Sequence, residues 1–167
     1  MTSEYETTDL GEDGPAFEIS DGKKKWFRNG KLHREEGPAI EYSDGIKKWY
    51  RNGKLHREEG PALEYPDGYK AWYRNGKCHR EDGPAIEYLN GHKEWWLNGK
   101  RHRKDGAAIE RSDGHKEWYL NDIQVTKEII DFIIERKRRL SLKYWLIWTD
   151  YVMNPNTERG KRYANRQ

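Results

Sequence analysis

The chain is nearly devoid of sulfur, with one cysteine and two methionines in 167 residues. A single cysteine closes no internal disulfide, which excludes a disulfide-stapled scaffold. Cys78 stands where Leu32 and Leu55 stand in related stretches, so it reads as a packing residue. Apolar residues make up only 34% of the chain, and no apolar run approaches the ~18 residues of a membrane span. The first ten residues, 1–10, are polar and acidic, without the basic start and apolar centre of a secretion signal. A soluble, cytoplasmic protein is the expectation. Phosphate-binding loops, dinucleotide fingerprints and nucleophile motifs are all missing, so the sequence points away from an enzyme and names no cofactor, metal or catalytic residue.

Mean hydropathy is −1.28 and 37% of residues are charged, a balance that leaves a ring-poor chain unfolded. Here 13% of residues are aromatic, eight of them Trp, and a thin sheet held by large rings is expected in place of a thick aliphatic core. What the chain has in abundance is repetition. Gly14, Gly37, Gly60, Gly83 and Gly106 stand 23 residues apart, each followed by a variant of one phrase. A fixed period of this length marks a repeat array, and arrays present extended surfaces for binding.

In the stretch 37–59, Asp44-Gly45 and Asn52-Gly53 are hairpin signals of the type I′ kind. The aromatic stretch 46–51 between them predicts one strand. The segment 54–65 predicts a second, long strand bent at Gly60-Pro61, since Pro is confined to edges and bulges. Two strands per repeat give an antiparallel meander with equivalent residues roughly 10 Å apart. Alternation puts Trp26, Trp49, Trp72, Trp95 and Trp118 on one face, and Phe27, Tyr50, Tyr73, Trp96 and Tyr119 on the other. Phe17, Ile40, Leu63, Ile86 and Ile109 form a third column. The fold class predicted is mainly β: five hairpin repeats over 14–124 in one extended antiparallel sheet, after a polar arm (1–13) and before an α-helical cap (125–153) and a basic tail (154–167).

Trp-Tyr-Arg-Asn-Gly-Lys-Leu-His at 49–56, followed by Tyr65-Pro66-Asp67-Gly68, resembles the MORN-type repeat family, in the variant form found in bacterial and bacteriophage proteins. The resemblance covers about residues 14–124 and departs from the standard repeat at Arg57-Glu58-Glu59-Gly60-Pro61. It implies a hairpin array that binds another protein. Because some variant-repeat proteins are labelled antitoxin-like, it also implies an inhibitor or adaptor acting on a host or defence complex, such as a CRISPR-type one, in the host cytoplasm.

Six histidines raise a metal question. His33, His56, His79 and His102 recur at the repeat period; stacked roughly 10 Å apart they cannot share an ion whose ligands lie about 2.1 Å away. Each is expected to bond a neighbouring Glu or backbone group in a ladder. The recurring Arg34-Glu35-Glu36 triplets read as cross-strand ion pairs, because catalysis needs one unique pair in a pocket.

The copies diverge toward the end: Arg28, Arg51 and Arg74 give way to Leu97 and Leu120, and Tyr42, Tyr65 and Tyr88 give way to Arg111. At Thr126, a predicted N-cap, the period becomes helical, with an apolar stripe of Ile129, Ile130, Phe132, Ile133 and Ile134. One long helix or two broken near Leu140-Ser141 both fit. Residues 1–124 sum to −2 and 125–167 to +5, which together give the net +3. Candidate partner-binding residues are therefore Arg136, Lys137, Arg138, Arg139 and Lys143, with Tyr144, Trp145 and Trp148, and in the array Arg51, Arg74 and Arg111. The Trp/Tyr/Arg mixture suits a protein interface; the alternative is nucleic acid, with phosphates on the basic run and bases stacked on Trp145 and Trp148. Homodimerisation through a sheet edge or the C-terminal helices is a further expectation.

Overall fold

The computed structural model describes the backbone of residues 17–19 and 22–153 and side chains from 22 to 143. The fold is mainly β, with an eleven-stranded antiparallel sheet, four two-stranded hairpin sheets and one C-terminal helix. Two compact units are distinguished: residues 1–103 with 107–124, and residues 104–106 with 125–167.

Each of the first four repeats contributes four short strands, not the two expected, and the last contributes three. In the stretch 37–59, Ile40–Glu41 and Lys47–Lys48 join the long sheet, while Tyr50–Arg51 and Lys54–Leu55 pair only with each other. The predicted strand over 46–51 is split at Trp49 because Trp49 changes ladders: its N–H donates to Ala62 and its carbonyl accepts from His56. The predicted long strand over 54–65 is likewise two strands in different sheets, Lys54–Leu55 and Leu63–Glu64, separated by the loop around Gly60-Pro61. Pro has no N–H for a ladder, so the chain leaves one sheet before it and enters the other after it. In the last repeat the strand Lys116–Leu120 runs unbroken.

The two turn types also differ. At Asn52-Gly53 both residues have positive φ (51° and 77°), the type I′ geometry predicted. At Asp44-Gly45 only Gly45 does (φ 90°). The Gly45 N–H donates to the Tyr42 carbonyl, the Tyr42 N–H donates to Ile46, and Asp44 Oδ1 accepts from the Ile46 N–H. This is a three-residue loop, a type I turn closed by a left-handed glycine, in correction of the type I′ expectation. Here the short Asp side chain selects the turn by bonding the backbone two residues on.

The long sheet carries two rows. Lys24, Glu41, Lys47, Glu64, Lys70, Glu87, Lys93, Glu110 and Lys116 lie opposite one another in succession, a strict alternation of charge. Opposite charges directly across a strand pair each add roughly 0.2–1 kcal/mol. The second row is Lys25, Ile40, Lys48, Leu63, Ala71, Ile86, Glu94, Ile109 and Glu117. Within it Ile40, Ala71 and Ile109 are buried.

The core is thin and built on alanine. Ala39, Ala62, Ala85 and Ala108 are fully buried, and each carbonyl accepts the N–H of Trp26, Trp49, Trp72 or Trp95. A second column locks these rings. The guanidinium carbons of Arg34, Arg57, Arg80 and Arg103 lie 3.8, 4.0, 4.1 and 3.9 Å from the ring centres of Trp26, Trp49, Trp72 and Trp95. The same guanidiniums donate to the carbonyls of Pro38, Pro61, Pro84 and Ala107 and to Glu41, Glu64, Glu87 and Glu110.

The hairpins stack through their own ladder. The N–H groups of Gly53, Gly76 and Gly99 donate to the carbonyls of Leu32, Leu55 and Cys78 in the preceding repeat. The histidines join this ladder as expected: Nδ1 of His33, His56, His79 and His102 accepts the N–H of Asn52, Asn75, Asn98 and Asn121.

The helix α1, Lys127–Met153, is continuous, so the two-helix alternative is excluded. It starts directly after Thr126, whose side chain hydrogen-bonds Glu128 and draws that carboxyl below its ordinary range. Ile130 is buried, whereas Phe132 is 66% exposed.

Candidate functional site

One face of the array departs from strict repetition, and it carries a continuous run of ring and charge contacts. The run begins where Lys23 and Lys48 place their ammonium groups 4.2 and 5.2 Å from the Tyr42 ring centre. Lys48 is also 5.9 Å from Tyr65. Tyr65 meets Tyr69 edge to face at 5.3 Å, Tyr69 meets Tyr88 at 5.0 Å, and Tyr88 meets His92 at 5.0 Å. His92 Nε2 lies 3.0 Å from Glu94, which also accepts from Trp96 Nε1 at 2.9 Å. Arg101 then sits 5.1 Å from the Trp96 ring and 5.4 Å from Tyr119. Tyr119 donates to Glu117 at 2.9 Å, and Arg111 donates to the same carboxylate at 2.8 Å.

The residues come together because of strand alternation. Tyr42, Tyr65 and Tyr88 lie two residues beyond Ile40, Leu63 and Ile86, on the same side of the pleat. Tyr69 and His92 lie two residues before Ala71 and Glu94. The small, buried Ala71 stands at the middle of the row, opposite Leu63 and Ile86, where flanking repeats carry Lys48 and Glu94. This third repeat alone combines Tyr69, Ala71 and Cys78.

The electrostatics change along the run. Burial pushes the Tyr42 phenol up, but the Lys23 hydrogen bond and the Lys48 and Lys23 charges outweigh it and leave its pKa below the ordinary phenol value. At the centre the shift is upward: burial first, then Tyr73, Tyr88, Cys78 and Tyr65, hold Tyr69 above its ordinary value. Burial and Cys78 raise Tyr73, and burial and Glu94 raise Tyr88. At the far end the Arg111 hydrogen bond, then that of Tyr119, holds Glu117 below the usual carboxylate range. The N-terminal end is thus basic, the centre neutral and phenolic, and the C-terminal end made of matched ions. Tyr88 is 41% and Leu89 80% exposed at the rim. Apolar rings carrying polar tips, beside lysines, suit a polypeptide surface.

Of the array residues expected from sequence, Arg111 belongs to this run. Arg51 does not: it bridges Glu58 at 3.2 Å and Glu35 at 3.6 Å beside the Asn52-Gly53 hairpin. Arg74 is exposed and makes no ion pair among the described residues; it lines a shallow hollow with Arg57, Trp72, His79 and Arg80. The Nε2 atoms of His56 and His79 are buried without a hydrogen bond. Arg136, Lys137, Arg138, Arg139 and Lys143 are exposed along α1, with Arg139 donating to Glu135 at 2.9 Å. Tyr144, Trp145 and Trp148 fall in α1, but their side chains lie outside the described ones. Sequence reasoning missed Lys23, Lys48, Tyr69 and Glu94. The available signal was non-repetition at two fixed positions of the period: Lys23, Ile46, Tyr69, His92, His115, and Lys25, Lys48, Ala71, Glu94, Glu117.

Among the described residues no three His, Cys, Asp or Glu side chains converge to hold a metal ion, and no described helix is long and apolar enough to cross a membrane. No protein-family model matches the chain, and no curated protein matches its sequence.

Proposed function

We propose that the protein is a non-enzymatic scaffold that binds another protein through the tyrosine-rich face of its repeat array. The observation that carries this reading is the unbroken run from Lys23 to Arg111, whose central ring Tyr69 stands where the other copies carry Lys23, Ile46, His92 and His115. Residues that hold the array together recur in every copy; residues that select a partner need not. The hot-spot types Tyr, Trp and Arg gather on this one surface, with Leu89 projecting beside them. The resemblance of the repeats to the variant MORN type adds a finer proposal, that the partner belongs to a host or defence complex which this chain inhibits or adapts.

The test is comparative capture. Wild-type chain and a Lys48→Glu/Tyr88→Ala variant are immobilised side by side, after circular dichroism confirms that both are folded. A protein retained by the first and lost from the second supports the reading. Equal retention by both, or no retained protein, overturns it.

Nucleic acid is the second reading, favoured by the exposed cations Arg136, Lys137, Arg138, Arg139 and Lys143 on one helix. It predicts retardation of an oligonucleotide at low salt, falling steeply as salt rises because each neutralised phosphate releases counterions. Absence of retardation at low salt ends that reading.

A further inference from the structure

The helix α1 carries its own complement. Residues 127–135 contain Lys127 against Glu128, Asp131 and Glu135, a net charge of −2. Residues 136–143 contain Arg136, Lys137, Arg138, Arg139 and Lys143, a net charge of +5. Along one side run Ile129, Phe132, Arg136 and Leu140, separated by three and four residues, the spacing that keeps side chains on a single stripe. Ile129, Phe132 and Leu140 are 45%, 66% and 47% exposed. The stripe is about 16 Å long at 1.5 Å per residue. The helix's own ion pairs do not tie up its carboxylates. Lys127–Asp131 and Arg139–Glu135 are exposed i,i+4 contacts, which are worth a few tenths of a kcal/mol and exchange readily.

We infer that the stripe is covered by the same helix of a second copy, running antiparallel. The orientation follows from the charges. A parallel pair would set the two +5 segments against each other, whereas an antiparallel pair lays each −2 segment along a +5 segment. Centred between Glu135 and Arg136, the antiparallel register brings Glu128 opposite Lys143 of the second copy and Phe132 opposite Arg139. Glu128–Lys143 is then an ion pair, and the Phe132 ring meets a guanidinium that can stack on it. The interface is self-complementary, as a two-fold homodimer requires. It is formed by residues apart from the tyrosine face, so it stands whether or not that face binds a partner. A dimer would carry two arrays and gain affinity for any multivalent target through effective concentration.

Light scattering on the eluting full-length chain tests this with paired charge reversals. The wild type is expected to be a dimer that dissociates on dilution. Glu128→Lys/Asp131→Lys/Glu135→Lys makes the helix basic throughout; Arg136→Glu/Arg139→Glu/Lys143→Glu leaves both segments acidic. Each variant alone should dissociate at least tenfold more readily, and an equimolar mixture should recover a heterodimer. Recovery on mixing also shows that neither variant failed to fold. A wild type that stays monomeric at every concentration overturns the inference. So does a dimer indifferent to both reversals, or a pair of monomeric variants that fail to associate when mixed.

Discussion

At the scale of single residues, the arginine after each repeated histidine carries more of the fold than its exposed neighbours do. Arg57 stacks on Trp49, bonds the Pro61 carbonyl and pairs with Glu64 at 2.7 Å. Arg57→Ala should lower stability by roughly 1–3 kcal/mol, and Arg57→Lys should recover little of it, because an ammonium cannot stack and fork at once. Thermal denaturation of the two variants checks the ordering. Cys78 gives a second prediction. Burial, with a smaller contribution from Glu94, pushes its thiol up to about 12, so a thiol reagent at neutral pH should label it only after denaturant unfolds the chain. The sign of the linked stability follows: the thiol's contribution holds below its unfolded pKa and falls away as pH rises through that value toward the folded one. The histidine ladder is equally specific. Because Nδ1 of His33, His56, His79 and His102 accepts a backbone N–H, the proton of each neutral ring sits on Nε2. Nitrogen NMR should find that tautomer in all four, and an Nδ1–H form in any of them would contradict the ladder.

At the scale of elements, two turns per repeat do different work, and their tolerances should differ. The Asn-Gly turns at Asn29, Asn52, Asn75 and Asn98, and the Asn121-Asp122 turn of the last copy, demand positive φ at a non-glycine residue. Asn52→Val, a branched residue in that region, should cost on the order of 1–3 kcal/mol. The three-residue loops demand it only of their glycine. A Cβ on Gly45 would approach Pro66 Cγ to 3.0 Å at φ +90°, so Gly45→Ala adds steric strain to conformational strain, whereas Asp44→Ala removes only one side-chain acceptor. Chemical denaturation should rank Gly45→Ala well below Asp44→Ala. The alternating Lys/Glu row of the long sheet was visible in the sequence as charge in every copy, but its pairing was not. Lys47 faces both Glu41 and Glu64 only because the Lys47–Lys48 strand lies between strands of two different repeats.

At the scale of the whole molecule, the array is modular, with each repeat bonded to its neighbours. Excising residues 60–82, one full period, should leave a folded protein with a lower melting temperature while removing Tyr65 and Tyr69. Retained β-sheet circular dichroism with lost partner capture is the expected pair of results. Acid should loosen the array from several places. The His33 hydrogen bond, opposed by burial and aided by Arg51, His33 and Arg28, holds Glu35 below its ordinary value; Arg80 does so for Asp82, and Arg111 and Tyr119 for Glu117. A depressed carboxylate contributes stability that is full above its unfolded pKa and lost as pH falls through its folded one. The melting temperature should therefore decline below about pH 4.5, and a melting temperature unchanged down to pH 3 would contradict these pairings.

The residues themselves determined the period, the antiparallel hairpin character, the Asn-Gly turns, the histidine ladder and the helical change at Thr126. Each of these depends on local chemistry repeated often enough to be read: a left-handed turn needs Asn or Gly, and a helix needs its own spacing. Only the tertiary structure decided which strands share a sheet. Trp49 and Pro61 switch the chain between ladders, and that switch depends on a carbonyl contributed by residues far along the chain. For the same reason the tyrosine face was not legible. Tyr69 and Tyr88 are nineteen residues apart in sequence, and their rings lie 5.0 Å apart only because the Lys70–Ala71 strand pairs in register with the Ile86–Glu87 strand of the next repeat.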